Sequence, residues 1–131
     1  MAVQRYSSGA PLEEKVGYSR MVKAGPFVLI GGTTSVLPDG SVFGENDSYA
    51  QADYIFQKQV KLLEQAGASP EDVISVDIFL TPAADASEVG RAYTAIFHDV
   101  RPLCTEITID HLNRPTQLME IKMTAYLGGN K

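Results

Sequence analysis

Apolar residues recur along this chain with two periods. One is the alternation of a half-buried strand; the other is the turn-by-turn spacing of a helix packed on one side. Ser19 to Lys23, the turn Ala24-Gly25-Pro26 and the run Phe27-Val28-Leu29-Ile30 ending at Gly31-Gly32 predict a β-hairpin. Pro38-Asp39-Gly40 supplies a fixed φ, an Asx side chain and a tolerated positive φ, so the chain reverses again there, with room for a third strand. Ala52, Phe56, Val60 and Leu63, flanked by Ile55, Gln59 and Leu62, predict an amphipathic helix. Ser48 and Gln51 have capping-box spacing at its start, and Gly67 stands where it ends. Ser69-Pro70-Glu71-Asp72 predicts a single turn before a strand in which Ile74, Val76, Ile78 and Leu80 share one face. Ala86, Val89, Tyr93, Ile96, Phe97 and Val100 form a second helical stripe, ending before Pro102. Thr105 to Ile109 and Leu118 to Tyr126 close the chain as strands, the last with Met119, Ile121, Met123 and Ala125 on one face. The segment up to Gly17 has no such pattern and reads as irregular.

The predicted class is α+β, a sheet with both helices available to cover one face. Two helices cannot cover both faces. The side carrying Phe79, Glu120, Thr124 and Tyr126 therefore meets water or another subunit. Phe79 and Tyr126 favour a partner, for which closed cyclic symmetry is the usual form.

Length and composition add boundaries. With 131 residues there is room for one hydrophobic core, and 44% hydrophobic with 21% charged residues is the balance of a folded globular chain, so residues 1–131 read as a single domain. Eleven basic against sixteen acidic side chains leave a net charge of −5, which repels phosphate backbones and argues against nucleic acid as a partner. One cysteine excludes an internal disulfide, and His98, Cys104 and His111 do not have zinc-site spacing, so no metal is expected. No apolar run approaches the ~18 residues of a membrane span, and no signal-like segment opens the chain, so the expected address is cytoplasmic, away from membranes.

Few residues announce chemistry. Asp77, Glu106 and Asp110 read as solvated strand carboxylates, whereas Glu120, between Met119 and Ile121, lies either in an oligomer cleft or on the wet side of the sheet. Cys104 would need a nearby base or cation to become a nucleophile, and it reads as an inert, buried, small apolar residue. His98 at the end of the second helix suits the helix dipole. Gly31-Gly32 belongs to neither a dinucleotide nor a P-loop motif and reads as a place of close backbone approach.

Six motifs occur in order: Gly17-Tyr18-Ser19-Arg20, Val28-Leu29-Ile30-Gly31-Gly32, Leu63-x-x-Ala66-Gly67-Ala68-Ser69-x-x-Asp72-Val73, Val89-x-x-x-Tyr93-x-x-x-Phe97, Arg101-Pro102 and Leu118-Met119-Glu120-Ile121. Together they resemble the Rid family, also called YjgF or L-PSP, over nearly the full length. The resemblance implies a chorismate-mutase-like fold and a homotrimer whose sheets form a central barrel. It also implies intersubunit clefts for small, carboxylate-bearing ligands. Family members with the full site hydrolyse enamines and imines such as 2-aminoacrylate without a cofactor. In them an arginine grips the substrate carboxylate and a glutamate positions water. Glu120 matches that glutamate and Tyr18 the pocket tyrosine. Cys104, in Pro102-Leu103-Cys104-Thr105, stands in the arginine's place, Gly31 in that of a serine, and Gly90 in that of an asparagine.

The site expected from the resemblance is thus catalytic Glu120 with Tyr18, Gly31, Gly32, Arg91, Cys104 and Thr105 around the ligand. Arg20 and Arg91 stand as substitutes for the lost guanidinium if either reaches the cleft. Loss of such a grip costs about 2–5 kcal/mol of binding, so deamination of 2-aminoacrylate should be poor. Two functions remain open: hydrolysis of a small imine, enamine or related electrophile, and a non-catalytic trimeric module that binds a metabolite. An endoribonuclease ranks last, on the acidic charge.

Overall fold

The computed structural model describes residues 2–129. Six strands form one mixed sheet: β1 (Val3–Tyr6), β2 (Met21–Ala24), β3 (Phe27–Thr33), β4 (Val73–Leu80), β5 (Leu103–Thr108) and β6 (Met119–Tyr126), in the order β1-β2-β3-β6-β4-β5. Only β4 and β5 run parallel, joined by the second helix, as a parallel pair requires. The helices α1 (Ser48–Gln65) and α2 (Ala86–Phe97) pack side by side on one face. Phe56 and Phe97 meet edge to face at 5.8 Å between them, both fully buried. Each contributes about 2–3 kcal/mol by leaving water.

The expected alternation of β6 holds, with Met119, Ile121, Met123 and Ala125 buried. Elsewhere the structure departs from the pattern for identifiable reasons. The opening segment is not irregular throughout. Val3–Tyr6 pairs with β2 as an edge strand and Glu13–Gly17 forms a π-helical turn, but β1 is exposed on both faces and so carries no alternation. Ile74 does not share the face of Val76, Ile78 and Leu80. A bulge sets Val73 opposite Ala125 and Ser75 opposite Thr124, making Ile74 the extra, exposed residue. The third strand after the Gly40 turn shrinks to one bridge, Val36 to Val42.

Ser48 and Gln51 form no capping box. Asp47 caps α1 by accepting from the Ala50 amide at 3.0 Å, and Ser48 Oγ accepts from the Asp85 amide. Gln51 is engaged elsewhere. Its side chain donates to the Thr116 carbonyl and accepts from the Leu118 amide, both at 2.9 Å, while Gln59 donates to the Ile121 carbonyl at 2.9 Å. Two buried glutamines of α1 therefore hold the chain on either side of Glu120, Gln51 just before β6 and Gln59 within it. Among the described residues no helix is long and apolar enough to cross a membrane.

Candidate active site

Glu120 owes its position to a defect in the sheet. Between β3 and β6 the register slips: Ile30 faces Met123 but Thr33 faces Ile121, so three steps on β3 match two on β6. The extra residue falls at Gly31-Gly32, next to Glu120, and such bulges commonly re-aim side chains beside active sites. The carboxyl lies over the Gly32 backbone. A methyl group built on Gly32 would stand 2.7 Å from Cδ of Glu120 and 3.0 Å from Cγ, well inside contact distance. Gly31 is looser, with its nearest neighbour the Arg20 carbonyl oxygen at 3.5 Å.

Gly32→Ala is accordingly expected to fold, because the obstructing atoms belong to the free end of a side chain. The carboxyl should nevertheless be driven off its seat. A displacement of about 1 Å at a reacting group can cost roughly a hundredfold in rate. A crystal structure of the variant with Glu120 unmoved would refute this account.

Above the bulge lies a cavity of about 400 Å³. Tyr18, Arg20, Gly31, Gly32 and Glu120 form one wall. The loop between β5 and β6 supplies the other, with His111, Asn113, Arg114 and Gln117, and Thr34 lies between. Tyr18 leaves the π-helical turn in extended conformation, its amide donating to the Glu13 carbonyl at 2.9 Å.

Arg20 reaches this cavity but is not free to hold a ligand. Its Nε pairs with Glu13 at 3.2 Å, Nη1 donates to the Gly32 carbonyl and Nη2 lies 3.4 Å from the Tyr18 hydroxyl. The side chains of the Glu13–Arg20 pair are only 4% and 10% exposed. Burial alone would raise the Glu13 carboxyl, but hydrogen bonds from the Ser8 hydroxyl and amide, from Ser7 and from Arg20 outweigh it and hold the group below its ordinary value. Arg20 thus fixes Gly32, over which Glu120 lies, and Tyr18, which lines the same cavity.

Three residues expected around the ligand lie away from this cavity within one chain. Arg91 projects from α2 with its side chain 60% exposed, paired to Glu88 at 3.1 Å and 3.9 Å above the Tyr49 ring. Cys104 and Thr105 sit on β5, every residue of which is exposed. Cys104, opposite Val76, lies on the helix side, and Thr105, opposite Asp77, on the open side. The expectation of a buried cysteine is not met, because β5 is the outermost strand and its helix side is incompletely covered.

The Cys104 thiol is not activated. Burial pushes it up; a hydrogen bond with Tyr93 opposes this, and the carboxylates of Glu106 and Asp77 push it further up. Tyr93 in turn is pushed up to about 12 by burial and by Cys104. At neutral pH the residue is therefore a thiol, not a nucleophilic thiolate. Among the described residues no three His, Cys, Asp or Glu side chains gather as metal ligands.

Arg114, Gln117 and Thr34 belong to the site without any advance signal in the sequence. They lie in segments with no periodicity, and Asn113-Arg114-Pro115 reads locally as turn chemistry alone.

A family model described as Endoribonuclease L-PSP matches residues 9–127. An uncharacterised protein of Streptomyces coelicolor, SCO2049, is 35% identical over 127 residues, 97% of this chain and 94% of that protein. The 3-aminoacrylate deaminase RutC of Acinetobacter baylyi is 28% identical over 112 residues, 84% of this chain and 86% of its own. Among solved structures, Rv2704 of Mycobacterium tuberculosis, described as a member of the YjgF/YER057c/UK114 family, superposes with a TM-score of 0.84 at 33% identity, covering 95% of this chain and 99% of that one. The chain therefore belongs to the endoribonuclease L-PSP family, which also carries the names YjgF and Rid.

Proposed function

We propose that this protein hydrolyses a small imine or enamine to a carbonyl compound and ammonia, with Glu120 as the catalytic residue. The observation that carries the reading is the seat of Glu120, a carboxyl held over a glycine bulge at the base of a cavity sized for a small molecule. The Acinetobacter relative, named a 3-aminoacrylate deaminase, supports the same reaction type.

The chemistry needs no redox partner. An enamine first takes a proton on carbon to become the imine. Water then attacks the imine carbon, the π electrons move to nitrogen, and Glu120 accepts a proton from the water and returns it to nitrogen. Collapse of the carbinolamine expels ammonia and forms the carbonyl. Atoms balance as imine plus water to carbonyl plus ammonia.

In this reading three chains close sheet to sheet, and the clefts at their seams hold the site. Two features support it. The open sheet face carries Phe27, Leu29, Ile74 and Ile107 exposed, and β5 leaves a bare edge, with Leu103 74% exposed. Such surfaces are normally covered in a stable soluble protein. Arg91, Cys104 and Thr105 would then approach the cavity from a neighbouring chain.

The test is ammonia release above the spontaneous rate from a panel of imines generated by an amino-acid oxidase, alongside sedimentation of the same preparation. Release by a trimeric species is expected. A trimer that accelerates none of the panel would favour the binding module, and a monomer would remove the shared cleft.

A further inference from the structure

A second cavity, of about 270 Å³, opens beside α1. It shares Ala10 and Val36 with the cavity of Glu120 and no other lining residue, so it is a separate recess. Lys58 and Lys61 line its helix wall, three residues apart and therefore on one face of α1. Among the described residues no aspartate or glutamate lines it. On a chain with a net charge of −5, the recess is a local surplus of the opposite sign.

Lys58 is the informative member of the pair. It is half-buried, yet among the described residues its ammonium has neither a hydrogen-bond acceptor nor a paired carboxylate. Lys23, also half-buried, shows the ordinary solution, with Nζ donating to the Ala66 carbonyl at 3.0 Å. Glu13 attracts Lys58 but is committed to Arg20 and Ser8. Burial and the charge of Arg20 outweigh that attraction and hold the Lys58 amine below its ordinary value.

The walls around this charge are fixed. Tyr54 stacks on Phe43 with ring centroids 5.1 Å apart. The facing residues, 8–10, are tied down by the Ser8 amide donating to Glu13 at 3.0 Å and the Gly9 amide donating to Ser7 Oγ at 3.0 Å. Pro38 lies in a turn closed by the Gly40 amide on the Leu37 carbonyl at 2.8 Å. A cation with spare donors on a braced concave wall is pre-organised for an anion.

We propose that this recess binds a small phosphate monoester, its phosphate held by Lys58 and Lys61 and its organic part lying against Tyr54 and Pro38. Such an ester carries about two negative charges near neutral pH, which matches two ammonium groups, and its oxygens accept the donors that Lys58 does not use in the fold. A monocarboxylate would leave one lysine uncompensated. The ring and the proline supply the apolar surface that a small ligand needs beside its charged end. Binding here is measured without turnover, so it stands or falls apart from the hydrolase reading.

The experiment is calorimetric titration with phenyl phosphate, with phenyl sulfate, its singly charged analogue, and with inorganic phosphate, on wild type, Lys58→Gln, Lys61→Gln and Arg114→Gln. Phenyl phosphate should bind wild type more tightly than the other two. Lys58→Gln should weaken it by about 10- to 100-fold, the usual scale for a charge-assisted contact. Lys61→Gln should weaken it by about fivefold or less, because Lys61 is exposed. Arg114→Gln, in the other cavity, should leave it unchanged. Lys58→Gln should melt no lower than wild type, since it removes a charge that burial and Arg20 disfavour.

Equal phenyl phosphate affinity in wild type and Lys58→Gln would overturn the site, as would no binding at all. Dependence on Arg114 in place of Lys58 would also overturn it, by putting the anion in the cavity of Glu120. Phenyl sulfate bound as tightly as phenyl phosphate would refute the match to a dianion, and inorganic phosphate bound as tightly would refute the ester. A clear fall in the melting temperature of Lys58→Gln would show that the ammonium already has a partner within the fold.

Discussion

Glu120→Gln is expected to reduce ammonia release from an accepted imine by roughly a hundred- to ten-thousand-fold, the range for removing a positioned general base. Glutamine keeps the shape that lies over Gly32 but cannot accept and return a proton. The half-buried site has room for the swap, so stability should change by no more than about 0.5 kcal/mol, the usual range for a substitution outside the core. The loss should fall on kcat more than on KM, because the substitution removes a proton acceptor and leaves the shape of the cavity wall unchanged. A variant retaining a tenth or more of wild-type turnover would show that water is activated elsewhere in the cavity.

Glu13→Ala is expected to have the largest effect on the fold itself. The side chain lies seven residues before its partner Arg20, and the pair is sealed under the cavity wall. Removing one member of a buried pair leaves the other charge uncompensated and costs about 3–5 kcal/mol, a large fraction of the roughly 5–15 kcal/mol that holds a domain together. The melting temperature should fall by about 10 °C or more. Activity should suffer too, because Arg20 then no longer fixes Gly32 and Tyr18.

The same group gives an acid limb to the stability curve. Glu13 has a folded-state pKa below its ordinary value of 4.5. Its contribution is therefore fully present above that value and is lost as pH falls through the lower folded value. Lys58 on α1, pushed down by burial and by the charge of Arg20, with Glu13 opposing, is the third member of this cluster. Wild type should lose stability below about pH 4.5, and Glu13→Ala should lose less over the same range, as checked by melting at successive pH values. Identical acid limbs would mean that Glu13 titrates alike folded and unfolded.

Several parts of this molecule are legible in its sequence because one residue and its near neighbours decide them. The face of β6 follows from four apolar residues two apart, since a pleated strand sends alternate side chains to opposite sides. The Gly40 turn and the single turn at Pro70–Asp72 follow from proline, glycine and Asx chemistry within four residues. Glu120 emerges as a candidate because a carboxylate interrupts that alternating strand and recurs in a family motif. Ile74 shows where the logic ends. Its parity assigns it to the core, and a bulge that depends on pairing with β6 takes it out.

What the sequence determines by itself, then, is the inventory: two amphipathic helices, strands of known inner face, one carboxylate on the last of them and a family to which the order of motifs belongs. Only the tertiary structure decides which charges are neutralised and which stand free. Arg20, Arg91 and Arg114 are alike as letters. One is spent on Glu13 and the Gly32 carbonyl, one on Glu88 at the surface, and one, in the cavity wall, has no carboxylate partner among the described residues. That distinction depends on contacts between residues far apart along the chain. A guanidinium's role is fixed by the nearest acceptor in space, a distance that no local pattern encodes.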